Sequence, residues 1–213
     1  MKIADANGLN TPKWIHKATG LEIKALGGFS VIYADPPWAY ADKKCNGAAE
    51  WRYRTMAQGE IAALPVADLA AKDAALFMWG TYPLLPDMLV VGAAWGFSYK
   101  SIAFQWVKRY EKSGAPFFGL GRWTRGNTEG CFLFVKGKPK RVSASVSQLV
   151  EEDMPLILDA PITKHSAKPA TVRTKIQELM GADLPAIELF AREQAPGWEC
   201  WGNEVTSTVE LKG

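Results

Sequence analysis

The chain has 213 residues, 48% of them hydrophobic, and a formal charge of +3, which suffices for one well-buried core and falls short of two full domains. This mildly basic balance excludes a histone-like, purely electrostatic binder while permitting nucleic acid. Three widely spaced cysteines (Cys45, Cys131, Cys200), two histidines and no C-x-x-C exclude a zinc set, so a reduced, cytoplasmic protein without a metal is expected.

The opening residues, MKIADANGLNTPKWIHKATG, hold neither an apolar signal core nor an arginine- and serine-rich presequence, and nowhere does an 18-residue apolar run occur, so neither secretion nor a membrane span is expected. The first strand is predicted at Phe29–Ala34. A glycine-bearing, aromatic and basic stretch, 39–56, follows, and then a strand at Ala74–Trp79. Leu84, Met88, Val91 and Trp95 recur at 4-3-4 spacing, predicting a helix over Pro83–Trp95 that stops at Gly96 and buries Trp95. Strands are predicted at Tyr99–Val107 and Gly130–Val135, separated by a second long basic and aromatic segment, 108–129. Segments of such length inside a compact domain commonly carry function. A strand at Pro155–Leu158, a helix over Lys168–Met180 led by Pro169, and a strand at Ala186–Phe190 complete the series. Strands alternating with helices predict an α/β layer fold with a largely parallel sheet, whose ligands bind beyond the carboxyl ends of the strands.

The first strand runs directly into an acid, two prolines and an indole, in the stretch VIYADPPW from Val31 to Trp38. Pro36 and Pro37 lack N–H groups and have fixed φ, so the chain leaves the strand stiff and extended. Asp35 adds a carboxylate. A rigid group of acceptors beside an indole suits a planar ligand bearing an amino group, such as adenine. Its exocyclic amine is a poor nucleophile because the lone pair is delocalised. If Asp35 accepts one hydrogen and the Pro36 carbonyl the other, the lone pair is freed and aimed. A stiff turn with no such task would use the same residues.

This ADPPW stretch resembles the catalytic motif of the adenine-N6 methyltransferases of the mRNA adenosine methylase family, which also has bacterial and phage members. The resemblance continues in order through YRTM (Tyr53–Met56), LFMWGT (Leu76–Thr81), FQWVK (Phe104–Lys108), GRWTRGNTEGCFLFVKG (Gly121–Gly137), HSAKP (His165–Pro169), IELFAR (Ile187–Arg192) and GWECWGNE (Gly197–Glu204). It implies a single-domain Rossmann-like methyltransferase over 29–204, with 1–28 as an N-terminal extension and 205–213 as a tail. The motif order would be permuted, catalytic strand first and cofactor strand late, consistent with the lack of a G-x-G-x-x-G after any strand.

The resemblance also implies S-adenosylmethionine as cofactor and assigns roles. Asp35, Pro36, Pro37 and Trp38 would be catalytic, with Trp38 stacking on the base. Tyr53, Trp79, Trp106, Arg122, Arg125, Asn127 and Glu129 would meet the substrate, Asn127 and Glu129 at the pocket rim. Asp35, Lys168, Glu188, Phe190, Arg192, Asn203 and Glu204 would hold the cofactor: Lys168 its carboxylate, and Asn203 with Glu204 its ribose. Leu189 and Phe190 are equally core positions of any such strand. Lys108, Arg109, Lys112 and the aromatic Tyr110, Phe117, Phe118 and Trp123 would line a nucleic-acid track. His165 is read as structural, because the methylated amine loses its proton without a strong base. Trp14 has no assigned place.

The implied activity is methylation of the N6 amine of adenine in nucleic acid, DNA by preference as in restriction–modification or phage enzymes, by a monomer or homodimer. RNA is the alternative in the same class. A catalytically silent nucleic-acid-binding partner subunit of the same fold, or a methyltransferase for amines outside nucleic acid, are the alternatives of different class.

Overall fold

The computed structural model describes residues 11–39, 55–110, 113–119, 121, 123–154 and 168–213, with backbone alone for 151–154. Nine strands and three α-helices follow in the order β1 (Lys13–His16), β2 (Phe29–Ala34), α1 (Gln58–Ala62), β3 (Ala70–Gly80), α2 (Leu85–Ala94), β4 (Ser98–Tyr110), β5 (Thr128–Lys136), β6 (Leu149–Met154), α3 (Thr171–Met180), β7 (Ala186–Leu189), β8 (Glu199–Trp201) and β9 (Val209–Lys212), among the described residues. Seven strands form one sheet ordered β6-β4-β5-β3-β2-β7-β8. Its pairings are parallel except at β5, which runs against both β3 and β4. The largely parallel α/β sheet expected from the alternation is therefore present, with β2 near its middle.

Period-two alternation divides the buried residues between the two faces. Ile32, Ala34, Leu76, Met78, Ile187 and Leu189 pack with Ile61 of α1 and with Met88 and Val91 of α2. Val31, Tyr33, Ala75, Phe77 and Trp79 pack with Val172, Ile176 and Met180 of α3. The helix predicted over Pro83–Trp95 begins as a 3-10 turn at Tyr82–Leu84 before α2 proper. Gly96 ends it at φ +81°. Trp95 is fully buried, and its indole N–H donates to the Ile61 carbonyl at 3.0 Å, tying α2 to α1. α3 starts at Thr171, not Lys168. Pro169 accepts the Val172 N–H in the turn before it, which leaves Lys168 on the lead-in strand of chain rather than on the helix.

Within the stretches read as an N-terminal extension and a tail, β1 pairs antiparallel with β9, Lys13 opposite Lys212 and His16 opposite Val209. Trp14, Ile23 and Val209 join the first core. Trp14, unassigned from the sequence, meets Trp201 edge-on at 5.2 Å and donates to the Pro65 carbonyl at 3.0 Å. An aromatic buried in this way contributes about 3–5 kcal/mol against truncation, so this small sheet is a lid on the core. The expectation that 108–129 lies outside the regular elements is corrected, for its ends belong to β4 and β5. The strand predicted at Pro155–Leu158 lies outside the described residues, and β6 immediately precedes it. None of the helices described is long and apolar enough to cross a membrane.

Candidate active site

Because β2, β3, β4, β7 and β8 run one way and β5 the other, a single edge of the sheet receives the ends of β2, β4 and β7 and the start of β5. Asp35, Lys108, Glu129 and Phe190 thereby converge, and the turn before α3 brings Lys168. A cleft of about 450 Å³ lined by His16, Phe29, Ala186, Trp198 and Glu199 lies at the opposite, amino-terminal edge. It touches none of these groups.

The centre of the edge is a chain of four charges. Lys168 Nζ lies 3.1 Å from Asp35 Oδ1 and 3.3 Å from Glu129 Oε1, while Lys108 Nζ lies 2.8 Å from Glu129 Oε2. The Lys168 side chain is only 9% exposed. Two tryptophans carry the ammonium groups on their faces: Lys168 sits 5.6 Å above the Trp79 ring and Lys108 4.8 Å above Trp106, a placement favourable to cations. Trp79 is in turn fixed by its N–H donating to the Tyr33 hydroxyl at 2.7 Å.

This arrangement separates the two acids. Burial pushes both carboxyls up, as it does any charge taken from water. At Glu129 two lysines outweigh burial and hold the group down at about 2. At Asp35 burial prevails over Lys168, Glu129 adds repulsion, and the carboxyl lies above its ordinary value of 3.8. Lys168, although buried, is held charged by its two carboxylate partners.

The backbone after Asp35 is braced. Trp38 N–H donates to the Pro36 carbonyl at 2.8 Å, and Met56 N–H to the Pro37 carbonyl at 2.8 Å. The Pro36 oxygen is thus not wholly free, but a carbonyl has two lone pairs and keeps one acceptor site. Trp38 is 6% exposed and its indole N–H donates to the Trp79 carbonyl at 3.0 Å. Expected to stack on a base, Trp38 has its ring packed in the core.

At the end of β7, Glu188 is buried and grips a guanidinium that sequence reading missed. Arg173 of α3 donates from Nε to Oε2 at 2.6 Å and from Nη2 to Oε1 at 3.2 Å, and from Nη1 to Glu193 at 2.9 Å. Glu188 thereby tethers β7 to α3. The only hint in the sequence is an acid inside the apolar run AIELF, which needs a cation nearby. Phe190 follows at φ +60° with its ring 5.5 Å from Trp201. Beyond it Gly202 lies so close to Ala191 that a Cβ would collide with the Ala191 carbonyl, which draws the ends of β7 and β8 together.

Residues 29–204 match the MT-A70 family. The chain belongs to that family. It is 34% identical over 197 residues to the Type II methyltransferase M.MunI of Mycoplasma sp, covering 83% of this chain and 78% of that protein. It is 33% identical to the human N(6)-adenine-specific methyltransferase METTL4 and 28% identical to the human N(6)-adenosine-methyltransferase catalytic subunit METTL3. Those alignments take in 83% and 95% of this chain but only 37% and 33% of the relatives, so the chain spans about a third of each human protein. The proteins of the MT-A70 family are methyltransferases and use S-adenosylmethionine.

The remaining expected residues fall in three groups. Trp79 and Trp106 are 0% and 5% exposed; they form the floor under the lysines and offer no open face for stacking. Glu129 is the hub of the charge chain instead of a rim residue, and Lys108 is its partner rather than a phosphate contact. Among cofactor candidates, Arg192 and Glu204 approach at 3.8 Å with the Glu204 side chain 57% exposed, and Asn203 is exposed between Gly202 and Glu204. Arg125 is exposed, with its guanidinium 5.7 Å above the Phe118 ring, and Asn127 accepts the Lys108 N–H through its carbonyl. Tyr53, Arg122, His165 and Cys45 lie outside the described residues, while Cys131 and Cys200 are buried free thiols. Among the described residues no group of three His, Cys, Asp or Glu is arranged to hold a metal ion.

Proposed function

We propose that this protein methylates the exocyclic N6 amine of adenine in nucleic acid, with DNA as substrate, and that Asp35, Pro36 and Lys168 carry the site. The observation that supports it most is the Lys168 bridge between Asp35 and Glu129 at the carboxyl end of β2, next to the end of β7. The donor set suits S-adenosylmethionine. Lys168 is a desolvated cation for a carboxylate, Asp35 an acceptor for an ammonium group, and Asn203 and Glu204 are exposed acceptors for a ribose diol. We read the domain as permuted, with β2 and its acceptor half preceding β7 and its cofactor half.

Bound S-adenosylmethionine supplies a methyl group on a sulfonium centre whose departure as a neutral thioether calls for no acid. Asp35, ionised, and the remaining lone pair of the Pro36 carbonyl accept the two hydrogens of the adenine amine and so direct its lone pair. Lys168, held by Glu129, keeps Asp35 in place and adds positive potential where a carboxylate binds. The Arg173–Glu188 tether fixes the end of β7 relative to Lys168. DNA is preferred because the similarity to the Type II methyltransferase, at 34% identity, is higher than that to the N(6)-adenosine enzyme, at 28%.

The deciding experiment is methyl transfer from labelled S-adenosylmethionine to matched unmethylated DNA and RNA, single- and double-stranded, with the nucleosides separated afterwards. N6-methyldeoxyadenosine, absent with Asp35→Asn, is the expected product. Cofactor binding with no transfer to any polynucleotide would indicate a silent binding subunit instead.

A further inference from the structure

The edge of the sheet opposite Asp35, where β3 and β4 begin and β5 ends, gathers positive charge. Lys72 and Lys100 are the third residues of β3 and β4, and the turn after β5 reads KGKPKR from Lys136 to Arg141. That turn is fixed in place. Lys138 N–H donates to Asp73 Oδ1 at 2.7 Å, Val142 N–H donates to the Leu179 carbonyl of α3 at 2.8 Å, and the ring of Pro139 fixes its own φ. Gly137 turns at φ +65° against Asp73 and the Lys72 carbonyl, where a Cβ would collide with both. Lys138, Lys140 and Arg141 are thereby held next to Lys72 on a stiff backbone.

These cations differ from others in the molecule. Lys72, Lys100, Lys138, Lys140 and Arg141 are exposed, and among the described residues none of their side chains has an ion-pair or hydrogen-bond partner. Lys13, Lys24 and Lys212, by contrast, are paired with Glu22, Asp68 and Glu210. The sequence from Gly130 to Val150 contains no Asp or Glu, and Asp73 is engaged by the Lys138 N–H. Exposed cations without carboxylates, spaced along strand starts and a stiff turn, match a row of phosphates, each of which releases a counterion when an ammonium or guanidinium replaces it. An anionic lipid surface is the rival partner. None of the five cations lies on a helix, whereas an interfacial anchor sets its cations on a helix beside an apolar face. The patch is also a separate place from the charge chain. Ala34 pairs with Met78, so Asp35 stands level with Trp79, and from Trp79 back to Asp73 along β3 is roughly 20 Å at a strand's rise per residue. With a phosphate about every 3.4 Å of strand, that distance is about six nucleotides.

Resting on the nucleic-acid reading above, we propose that the Lys136–Arg141 turn, with Lys72 and Lys100, grips the phosphate backbone of the substrate at least about six nucleotides from the target adenine. This contact holds the polymer without reading its sequence. The test is fluorescence-anisotropy binding of a labelled DNA duplex of about 30 base pairs, long enough to span both places, over a series of salt concentrations. Wild type is compared with Lys138→Gln/Lys140→Gln/Arg141→Gln and with Lys13→Gln/Lys24→Gln/Lys212→Gln, which removes the same charge from paired positions. Methyl transfer, calorimetric affinity for S-adenosylmethionine and capture by phosphatidylserine vesicles are followed alongside. In the first triple variant Kd should rise on the order of tenfold or more at low salt, and the slope of log Kd against log salt should fall by about 2 to 3. Cofactor affinity should stay unchanged, and the second triple variant should bind close to wild type. Equal losses in the two triple variants reduce the patch to net charge and overturn the proposal. So does wild-type duplex binding in the first, or a loss there of vesicle capture with duplex binding intact. If wild type binds the duplex but transfers no methyl, the function falls and the slopes still decide the patch; if wild type binds no polynucleotide, both fall.

Discussion

Glu129→Gln is the perturbation that best isolates the charge chain. The carboxyl stands at about 2 in the fold against an ordinary 4.5, a difference of roughly 2.5 pH units, which at about 1.36 kcal/mol each sets a ceiling of about 3 kcal/mol. The side chain is 11% exposed, so solvent screening takes little from this. Because the folded value is depressed, the contribution is complete above 4.5 and disappears as pH falls toward 2. Glutamine does not titrate and cannot follow that curve. At pH 7.5 the variant should be less stable by about 2–3 kcal/mol, a Tm lower by roughly 5–10 °C for a domain of this size, and at pH 3 about half the gap should remain. Urea denaturation followed by tryptophan fluorescence at the two pH values measures it. Removing the Glu129 charge also relieves the repulsion that raises Asp35, so the acid limb of the activity profile should move to lower pH. A stability gap that is the same at pH 7.5 and pH 3 would refute the reasoning, since mere loss of packing has no reason to titrate.

Two further outcomes follow from the same electrostatics. The Asp35 carboxyl is raised, first by burial, so its protonated form suits the fold: stability from this group is greatest below 3.8 and is lost as pH rises through the folded value. Asp35→Asn should therefore be no less stable than wild type at pH 7.5 while methyl transfer falls by at least about a hundredfold, and the wild-type kcat/KM should fall off on the acid side at a pH above 3.8; a variant melting several degrees lower would contradict this. Arg173→Gln strands Glu188 in the core and should cost about 3–5 kcal/mol in urea denaturation, most of it recovered when Glu188→Gln is added. A single variant as stable as the double would show that the fork does not matter.

β2, β3, β5 and β7 were legible because they carry apolar runs, and α2 because Leu84, Met88, Val91 and Trp95 keep helical period, whereas β6, LVEEDM, is half acidic and gave no such signal. What escaped were elements defined by distant partners. β1 and β9 are four residues each, too short for periodicity to register, and each exists because the other completes its hydrogen bonds. β8 has three residues and is a strand only by virtue of β7 beside it. Lys108, placed by the sequence in a basic loop, lies in β4 because pairing with β5 continues through Trp106–Glu129 and Val107–Thr128; no local signal distinguishes a paired lysine from a solvated one.

The candidate site divides along the same line. Asp35, Pro36 and Pro37 can be read from chemistry alone, since an acid followed by two residues without N–H groups is stiff whatever surrounds it. Trp38 cannot. Beside a predicted pocket an indole reads as a stacking surface, but in the fold its backbone N–H closes onto Pro36 and its ring N–H onto Trp79. The stiffness thus comes from two sources, proline φ within the tetrapeptide and the tryptophan peg across 41 residues of chain, and only the first is local. A motif can announce which atoms do the chemistry, while the groups that hold those atoms still are decided by partners that sequence distance conceals.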